Sequence, residues 1–545
     1  MMSAAKKWNV LFEGQVESAD DVVAALLKNR NIAEPSAFLS PPSVYSYIKN
    51  LDASLKEEFR RAREMVLAAV KEKKQIVIYG DYDADGVCAS AIVYDTIRVV
   101  LNYDKCLVFI PNRFDHGYGL SVKGIDDVVK RVGAERGLLI TVDTGITATA
   151  EVVYAKKLGF DVLIADHHQK PAQLPVADHI IWTDTLVGSG IAYVLCRLLG
   201  NSGSTALALA AIATVTDLQP LLGMNRGIVK EGLRALNDSP PLGVKTLLEV
   251  AGKKGEVTSY DLGWVLGPRL NATGRIVNAY AALNLLIEKD AINAAEIATK
   301  LNELNKQRQD KTLEMYALAN VSGEELPKVI FTASPDYHEG IIGLMASRLV
   351  GQYARPAVVI SLADEYAKGS ARSIAGVNII EFLRNFTDLF VSLGGHAMAA
   401  GFTLKKANVA ILQKAVLELA EKSLDSALLV HTLDIDVGLP FHLVGQPLLD
   451  AISTLQPFGL GNKEPLFLTK NVGVAQKSLM GQQSAHLALK LVAGETYGKA
   501  VFFNAGSVFD QINVGDKVDV VYSLRKNEFN GKIFVDMIVS DIRKR

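Results

Sequence analysis

Along the chain, short apolar runs alternate with longer stretches whose apolar residues recur at helical spacing. The runs cover residues 75–79, 107–110, 138–142, 162–165 and 179–182. The helix-like stretches are 87–101, 121–132, 147–158 and 190–199. This alternation predicts an α/β domain with a parallel sheet and helices on both faces. Residues 204–250 read as helical, and 281–320 as a long charged helix with Leu301 and Leu304 on its apolar side. A second α/β region begins near Pro327, with strands at 329–332 and 357–362. From about residue 427 the pattern changes to short alternating strands at 433–437, 486–492, 499–503, 517–523 and 533–539. Glycines separate them, as in a small β-barrel.

The expected order is therefore a helical segment at 1–70 packing on the first domain, then that domain at 71–280. A connecting helix at 281–322, a second α/β domain at 323–426 and a barrel at 427–545 follow. Composition agrees: 545 residues, 49% hydrophobic and 21% charged, describe a multidomain globular chain with ample core. No apolar run nears the ~20 residues of a membrane span. The three cysteines, Cys88, Cys106 and Cys196, match no zinc spacing. These features predict a cytoplasmic protein without membrane attachment, and the expected state is a monomer. A net charge of −1 argues against a protein that coats duplex DNA, but leaves room for a local basic groove.

The chemistry gathers after the strands. Asp81, Asp83 and Asp85 follow the first run at alternate positions. Asn112 and Arg113 follow the second, Asp143 the third, Asp166, His167 and His168 the fourth, and Asp184 the fifth. In a parallel sheet these ends share one edge, where open α/β sheets bind ligands. An EF-hand loop is excluded, because Ile92 stands where the final Glu should be and a strand precedes the motif. Asp81, Asp83, Asp85, Asp143, His167 and Asp217 together carry too much charge for one ion. They suit two ions a few ångströms apart, bridged by a carboxylate. Oxygen and imidazole donors favour Mn²⁺ or Mg²⁺, and phosphoester hydrolysis is the natural reaction.

Asp81-Tyr-Asp-Ala-Asp-Gly86, Val142-Asp-Thr-Gly145, Asp166-His-His168 and Thr216-Asp217 resemble the four motifs of the DHH phosphoesterase superfamily. Gly369-Ser-Ala-Arg-Ser-Ile374 and Gly394-Gly-His-Ala-Met-Ala-Ala-Gly-Phe402 resemble the DHH-associated domain. Pro111-Asn-Arg-Phe-Asp-His-Gly-Tyr-Gly119, Gly267-Pro-Arg-Leu-Asn-Ala-Thr-Gly-Arg275 and Pro457-Phe-Gly-Leu-Gly-Asn462 resemble the RecJ single-strand-specific exonucleases in particular. One departure is Tyr79, where many DHH enzymes carry a His; Asp81 or a water is expected to fill that place.

The resemblance implies a 5′→3′ exonuclease that uses Mn²⁺ or Mg²⁺ to release 5′-mononucleotides from single-stranded DNA, in repair and recombination. It also implies an OB-like barrel, for which Phe502, Phe503, Tyr522, Arg525 and Lys526 are candidate strand contacts. Asp143 is the expected bridge, and His167 the expected imidazole ligand. Asp143, Asp166 and His168 are the expected catalytic residues, with His168 as proton donor or phosphate contact. Arg113, Ser370 and Arg372 are expected to hold the 5′-terminal phosphate. Gly394, Gly395 and His396 form the expected substrate-facing loop, and Arg269 and Arg275 line the strand's path. A passage between the two α/β domains is expected to admit only single strands. A single-strand-binding protein and a helicase are the candidate partners. The alternatives are a phosphodiesterase for short oligonucleotides or cyclic dinucleotides, and a non-catalytic scaffold. The region after 427 disfavours the first, and the full set of ligands disfavours the second.

Overall fold

The computed structural model describes residues 6–133, 137–319, 321, 326–529 and 531–545. The chain divides into two compact units, residues 10–302 with 434–545, and residues 303–433 with the N-terminal nine.

The first unit contains a five-stranded parallel sheet. Its spatial order is Cys106–Phe109, Gln75–Gly80, Gly137–Val142, Asp161–Asp166 and His179–Trp182. The strands are apolar throughout because both faces are covered. Ile76 and Ile78 enter one core, while Val77 and Tyr79 enter another. The first core includes the helices Ala84–Asp95, Gly188–Leu198 and Ser204–Thr216, which are buried along most of their length. Helices apolar on all sides belong inside a core. Val122–Val132 and Thr149–Lys157 cover the opposite face.

The same unit holds a closed five-stranded barrel. Phe467–Met480, His486–Ala493, Thr496–Phe502, Lys532–Lys544 and Lys517–Phe529 pair in that order, and the first and last strands pair with each other. Register shifts at Val474/Gln476, Thr469/Val472 and Val521/Tyr522 provide the bends that closure needs.

The N-terminal segment departs from expectation. Val44, Ile48, Phe59, Ala62, Val66 and Ala69 do pack on the first domain. Val16, Val22, Ala25, Leu26, Leu27 and Phe38 instead join the barrel core. Two amphipathic helices, Ala19–Asn29 and Ala53–Lys71, each have one apolar face. Periodicity shows that such a face is buried, but not against which partner. The expected single helix at 281–320 is also two, Tyr280–Ile287 and Ala291–Leu318. Asp290 starts the second, accepting hydrogen bonds from the backbone of Ile292 and Asn293.

The second unit has a mixed sheet in the order Phe390–His396, Ala399–Lys405, Tyr366–Arg372, Ala357–Leu362 and Ile330–Ser334. Only the last pair is parallel. Ile342–Tyr353 and Val409–Ser423 pack on its opposite faces. Among the described residues, no helix is long and apolar enough to cross a membrane.

Candidate metal centre

The C-terminal rim of the parallel sheet brings the predicted ligands together. Asp83 caps the helix Ala84–Asp95, its Oδ1 accepting from the backbone N–H of Asp85 (3.0 Å) and Gly86 (3.1 Å). Asp85 is buried, and its two oxygens accept from the backbone of Gly188 (2.7 Å) and Ser189 (2.8 Å). Those two residues open the helix Gly188–Leu198, and a helix N-terminus is a natural anion partner. Asp143 follows its strand at φ 60°, a left-handed conformation that costs a non-glycine residue energy. Its backbone N–H donates to Ala165 (2.9 Å). A Cβ on Gly188 would lie 2.4 Å from that of Asp143, so only glycine permits this approach.

Three overlapping groups of donor atoms result: Asp81, Asp83 and Asp143; Asp85, His167 and Asp217; and Asp143, His167 and His168. Within each, the atoms lie within 4.8 Å of one another. His167 Nε2 is 3.1 Å from Asp143 Oδ1, 3.7 Å from Asp217 Oδ2 and 3.8 Å from Asp85 Oδ2. Asp143 Oδ1 and Asp81 Oδ1 are nevertheless buried without a hydrogen-bond donor. Burial, reinforced by neighbouring carboxylates, holds Asp81 and Asp143 well above the usual carboxylate range. The same causes push Asp217 up to about 8. Buried carboxylate oxygens without donors, one of them against an imidazole nitrogen, are unfavourable alone and suit a hard divalent cation. The donor set therefore fits the metals expected from the sequence.

Asp166 has a different place from its neighbours. Its Oδ1 accepts from the backbone of His167 (2.7 Å) and His168 (3.1 Å) and faces His168 Nδ1 at 2.8 Å. Its Oδ2 accepts from Ile146 (2.9 Å). Burial would raise its pKa, but the hydrogen bonds and charge of His168 hold it below the usual range. Asp166 thus fixes the histidine pair and lies outside the three donor groups. Burial in turn opposes a charge on His168, but the bond and charge of Asp166 raise it to about 9. His168 Nε2 meets the Tyr118 hydroxyl at 2.7 Å, and Trp182 Nε1 donates to the His168 carbonyl (2.7 Å).

Tyr79 contributes nothing to this rim. It lies in the core on the opposite face of the sheet, its hydroxyl donating to Gly119 (3.2 Å). Asp81, two residues later, is the group that stands in the cluster. Arg113 stacks over Tyr82 at 4.4 Å, between the first two aspartates in sequence, and its Nε is buried without a partner. Arg269 donates to Asn302 (3.0 Å) and Val265 (2.8 Å), so part of its fork is used by the fold. Arg275 lies half-buried on the same helix, Gly267–Ile276. That helix also braces the centre. Asn271 Oδ1 accepts from Ala84 (2.8 Å), and a Cβ on Gly274 would lie 2.4 Å from the Tyr82 carbonyl.

In the second unit, Ser370 and Arg372 share one face of their strand, and the guanidinium donates to Ser370 Oγ (2.9 Å) and the Ala371 carbonyl (2.9 Å). Burial lowers the Arg372 pKa. Gly394 and His396 align through Gly401 and Ala399 with Ser370 and Arg372, placing these motifs on neighbouring rows of one sheet. Gly394, Gly395 and His396 are exposed. A Cβ on Gly395 would lie 2.3 Å from the Ala399 carbonyl, so this glycine also serves the hairpin.

The barrel wall carries a groove of about 350 Å³ lined by Lys477, Lys490, Lys499 and Tyr497. Lys490 Nζ lies 4.6 Å from the Tyr497 ring centre, and that tyrosine is exposed. Of the aromatic candidates named from sequence, Tyr522 belongs to the barrel core, where its hydroxyl pairs with Thr469 Oγ1 at 2.8 Å. Phe502 packs against the same core, and Phe503 is exposed.

Sequence reasoning gave no role to Tyr118, Trp182, Asn271, Gly188 or Ser189. Tyr118 and Asn271 stand inside motifs already singled out, so a closer reading of those motifs would have found them. Gly188-Ser-Gly190 has the small residues of a helix start that admits a carboxylate.

Profiles of known families match three stretches: the DHH family N-terminal domain at residues 75–215, the DHHA1 domain at 326–422 and the RecJ OB domain at 435–541. The chain is 33% identical to the single-stranded-DNA-specific exonuclease RecJ of Bacillus subtilis, over 95% of this chain and 67% of that protein. For RecJ of Salmonella typhimurium the identity is 32%, over 88% and 89%. The crystal structure of Thermus thermophilus RecJ in complex with Mn²⁺ superposes with a TM-score of 0.83 at 27% identity, covering 99% of this chain and 80% of that one. With all three domains matched in order and the DHH motifs converging on one rim, the chain belongs to the RecJ family of the DHH superfamily.

Proposed function

We propose that this chain is a metal-dependent exonuclease that degrades single-stranded DNA from its 5′ end to 5′-mononucleotides, in repair and recombination. The observation that carries this reading is a pair of buried carboxylate oxygens without hydrogen-bond donors, Asp81 Oδ1 and Asp143 Oδ1, the second 3.1 Å from His167 Nε2. Two Mn²⁺ or Mg²⁺ ions, when bound, acidify a water and neutralise charge on the phosphoryl group. Asp81, Asp83 and Asp143 would hold one, and Asp85, His167 and Asp217 the other, with Asp143 shared. Asp166 orients His168 through Nδ1, leaving Nε2 and the Tyr118 hydroxyl to meet the departing oxygen or the scissile phosphate. In this reading Asp166 is a positioning residue and not a direct participant.

Arg113 supplies a partly unpaired guanidinium beside the centre, and Ser370 with Arg372 supplies a second phosphate anchor in the other unit. Gly394, Gly395 and His396 lie on rows adjoining that anchor, and Arg269 and Arg275 offer charge to the strand. The lysine–tyrosine groove of the barrel provides what single strands bind, a cationic track with a stacking ring. It also favours a polymer over a cyclic dinucleotide. A monomer in the cytoplasm, working with a single-strand-binding protein and a helicase, completes the proposal.

The test is digestion of a 5′-phosphorylated, 3′-labelled single strand with Mn²⁺, beside its blunt duplex and a trinucleotide. Progressive loss of the long strand, with the duplex spared and 5′-mononucleotides released, is the expected result. Cleavage of the trinucleotide alone would move the chain to the short-oligonucleotide class.

A further inference from the structure

Asp217 is set apart from the other donors of the metal centre. It neither ends a strand nor starts a helix, but caps the C-terminus of Ser204–Thr216, with a side chain 37% exposed. The next residue, Leu218, turns away at φ 57°. Its own domain holds the loop through Gln219, which donates to the Asp184 carbonyl (2.9 Å), and Asn225, which donates to that of Pro220 (3.2 Å). A third hold comes from the barrel. The Leu221 N–H donates to the Leu460 carbonyl at 2.8 Å. Leu221 is buried, and a Cβ on Gly459 would lie 2.7 Å from its Cδ1 and 3.1 Å from its Cγ. The two segments are therefore seated on each other without spare room.

The barrel side of this contact is built to be rigid. Gly459 and Asn462 exchange backbone hydrogen bonds at 2.9 and 3.1 Å. The Asn462 side chain is fully buried; its Nδ2 donates to the Leu455 (2.7 Å) and Pro457 (2.9 Å) carbonyls. Its Oδ1 accepts from Arg30 Nε (2.9 Å). One turn beyond Leu222, the buried Arg226 ties the same segment to the catalytic domain. Its guanidinium donates to the carbonyls of Leu455 (3.0 Å), Gln456 (2.9 Å), Pro457 (3.4 Å) and Phe38 (2.6 Å), and stacks on Phe38 at 3.8 Å. A buried guanidinium satisfied by four carbonyls accepts little displacement without losing bonds it cannot replace from water.

We infer that the 457–462 loop is a positioning element for Asp217, so that the barrel domain completes the metal centre as well as gripping substrate. The inference rests on the reading of Asp217 as a ligand given above. Groups that orient a ligand typically set metal affinity by roughly 10- to 100-fold. The loop contributes no atom to the centre, so its effect is confined to the ion that Asp217 holds.

The test is a Mn²⁺ titration of the metal-free, full-length protein, following free Mn²⁺ by electron paramagnetic resonance. Three variants are compared with the wild type: Asp217→Ala, Gly459→Ala and Asn462→Asp. Asn462→Asp is nearly isosteric and keeps the acceptor for Arg30 while removing the two donated bonds. Asp217→Ala is expected to lose one of two sites. Each loop variant is expected to retain both sites but to bind one about tenfold or more weakly. Excess Mn²⁺ then returns kcat on a short single strand towards the wild-type value. Loop variants that melt like the wild type and bind both ions with unchanged affinity would overturn the inference, provided that Asp217→Ala loses an ion. Two unchanged sites in Asp217→Ala would instead remove the ligand assignment itself.

Discussion

In the parallel sheet the polar chemistry sits beyond the strands; in the barrel it sits along them. Asp81, Asp143 and Asp166 are read from sequence because each follows an apolar run, and a charge placed there has only the rim to go to. On a barrel wall, successive side chains alternate between core and groove. Tyr497 and Tyr522 are both strand tyrosines, yet one is exposed beside Lys490 and the other is buried against Thr469. Composition does not separate them; register does, and bulges shift the register. Function on a rim is thus a matter of position after a strand, and function on a wall a matter of parity within one.

If that contrast holds, the two regions respond to substitution in different currencies. The largest effect is expected at the rim. Asp143→Asn removes the shared carboxylate and should depress turnover of a 5′-phosphorylated single strand far beyond the ~100-fold of a merely supporting group. Near-normal turnover would sink the assignment. The same variant, without metal, should melt higher than metal-free wild type at high pH, where Asp143 would otherwise be forced to ionise among buried carboxylates. The pH dependence follows. Asp81, Asp143 and Asp217 have pKa values raised by burial and by one another, Asp217 to about 8. Raised carboxyls favour the folded state while protonated, and that stability is lost as pH climbs through the folded value. Metal-free protein should therefore lose stability from the ordinary carboxylate range up to about pH 8. The gain in Tm on adding Mn²⁺ should be greater at the upper end of that window. A gain independent of pH would count against the cluster.

The second unit should show an intermediate effect. Arg372→Ala removes a guanidinium held beside Ser370 and should slow cleavage of 5′-phosphorylated strands about tenfold or more relative to 5′-hydroxyl strands. Equal losses on both substrates would mean that Arg372 serves the fold alone. Smaller again is Tyr497→Ala. One lost stacking platform is worth about 1–3 kcal/mol on a long strand, so KM for a long oligonucleotide should rise while a trinucleotide is cut as before. Smallest is Tyr522→Phe, which removes the bond to Thr469 and should cost about 1 kcal/mol of stability with DNA affinity unchanged. A loss of DNA affinity in Tyr522→Phe, with no loss in Tyr497→Ala, would reverse the reading of the wall.

Legibility in the sequence followed the range of the interactions involved. The five strands of the parallel sheet lie within one residue of expectation, since each is a local run of apolar residues. The residues of the donor cluster likewise stand within short motifs. What stayed hidden depends on distant partners. Asp85 is locked by backbone N–H groups about a hundred residues later, which no local pattern announces. Residues 16–39 look like any amphipathic segment, and only the folded chain shows that they complete the barrel core. The strand Phe467–Met480 was not singled out, because bulges break its alternation. The four nitrogens that occupy the oxygens of Asp166, one of them from Ile146, are equally unannounced by its motif.

The left-handed backbone of Asp143 has an evolutionary consequence. Most residues, such as Leu218 at φ 57°, meet a steric cost of about 1–2 kcal/mol in the left-handed backbone that Asp143 adopts at φ 60°, a cost that glycine, asparagine and aspartate largely avoid. Of these, aspartate alone carries a negative charge. Glutamate, the usual conservative exchange, keeps the charge but bears that backbone cost and moves the carboxylate by one methylene, and asparagine keeps the conformation but not the charge. A saturation library at this position should therefore yield wild-type activity from aspartate alone.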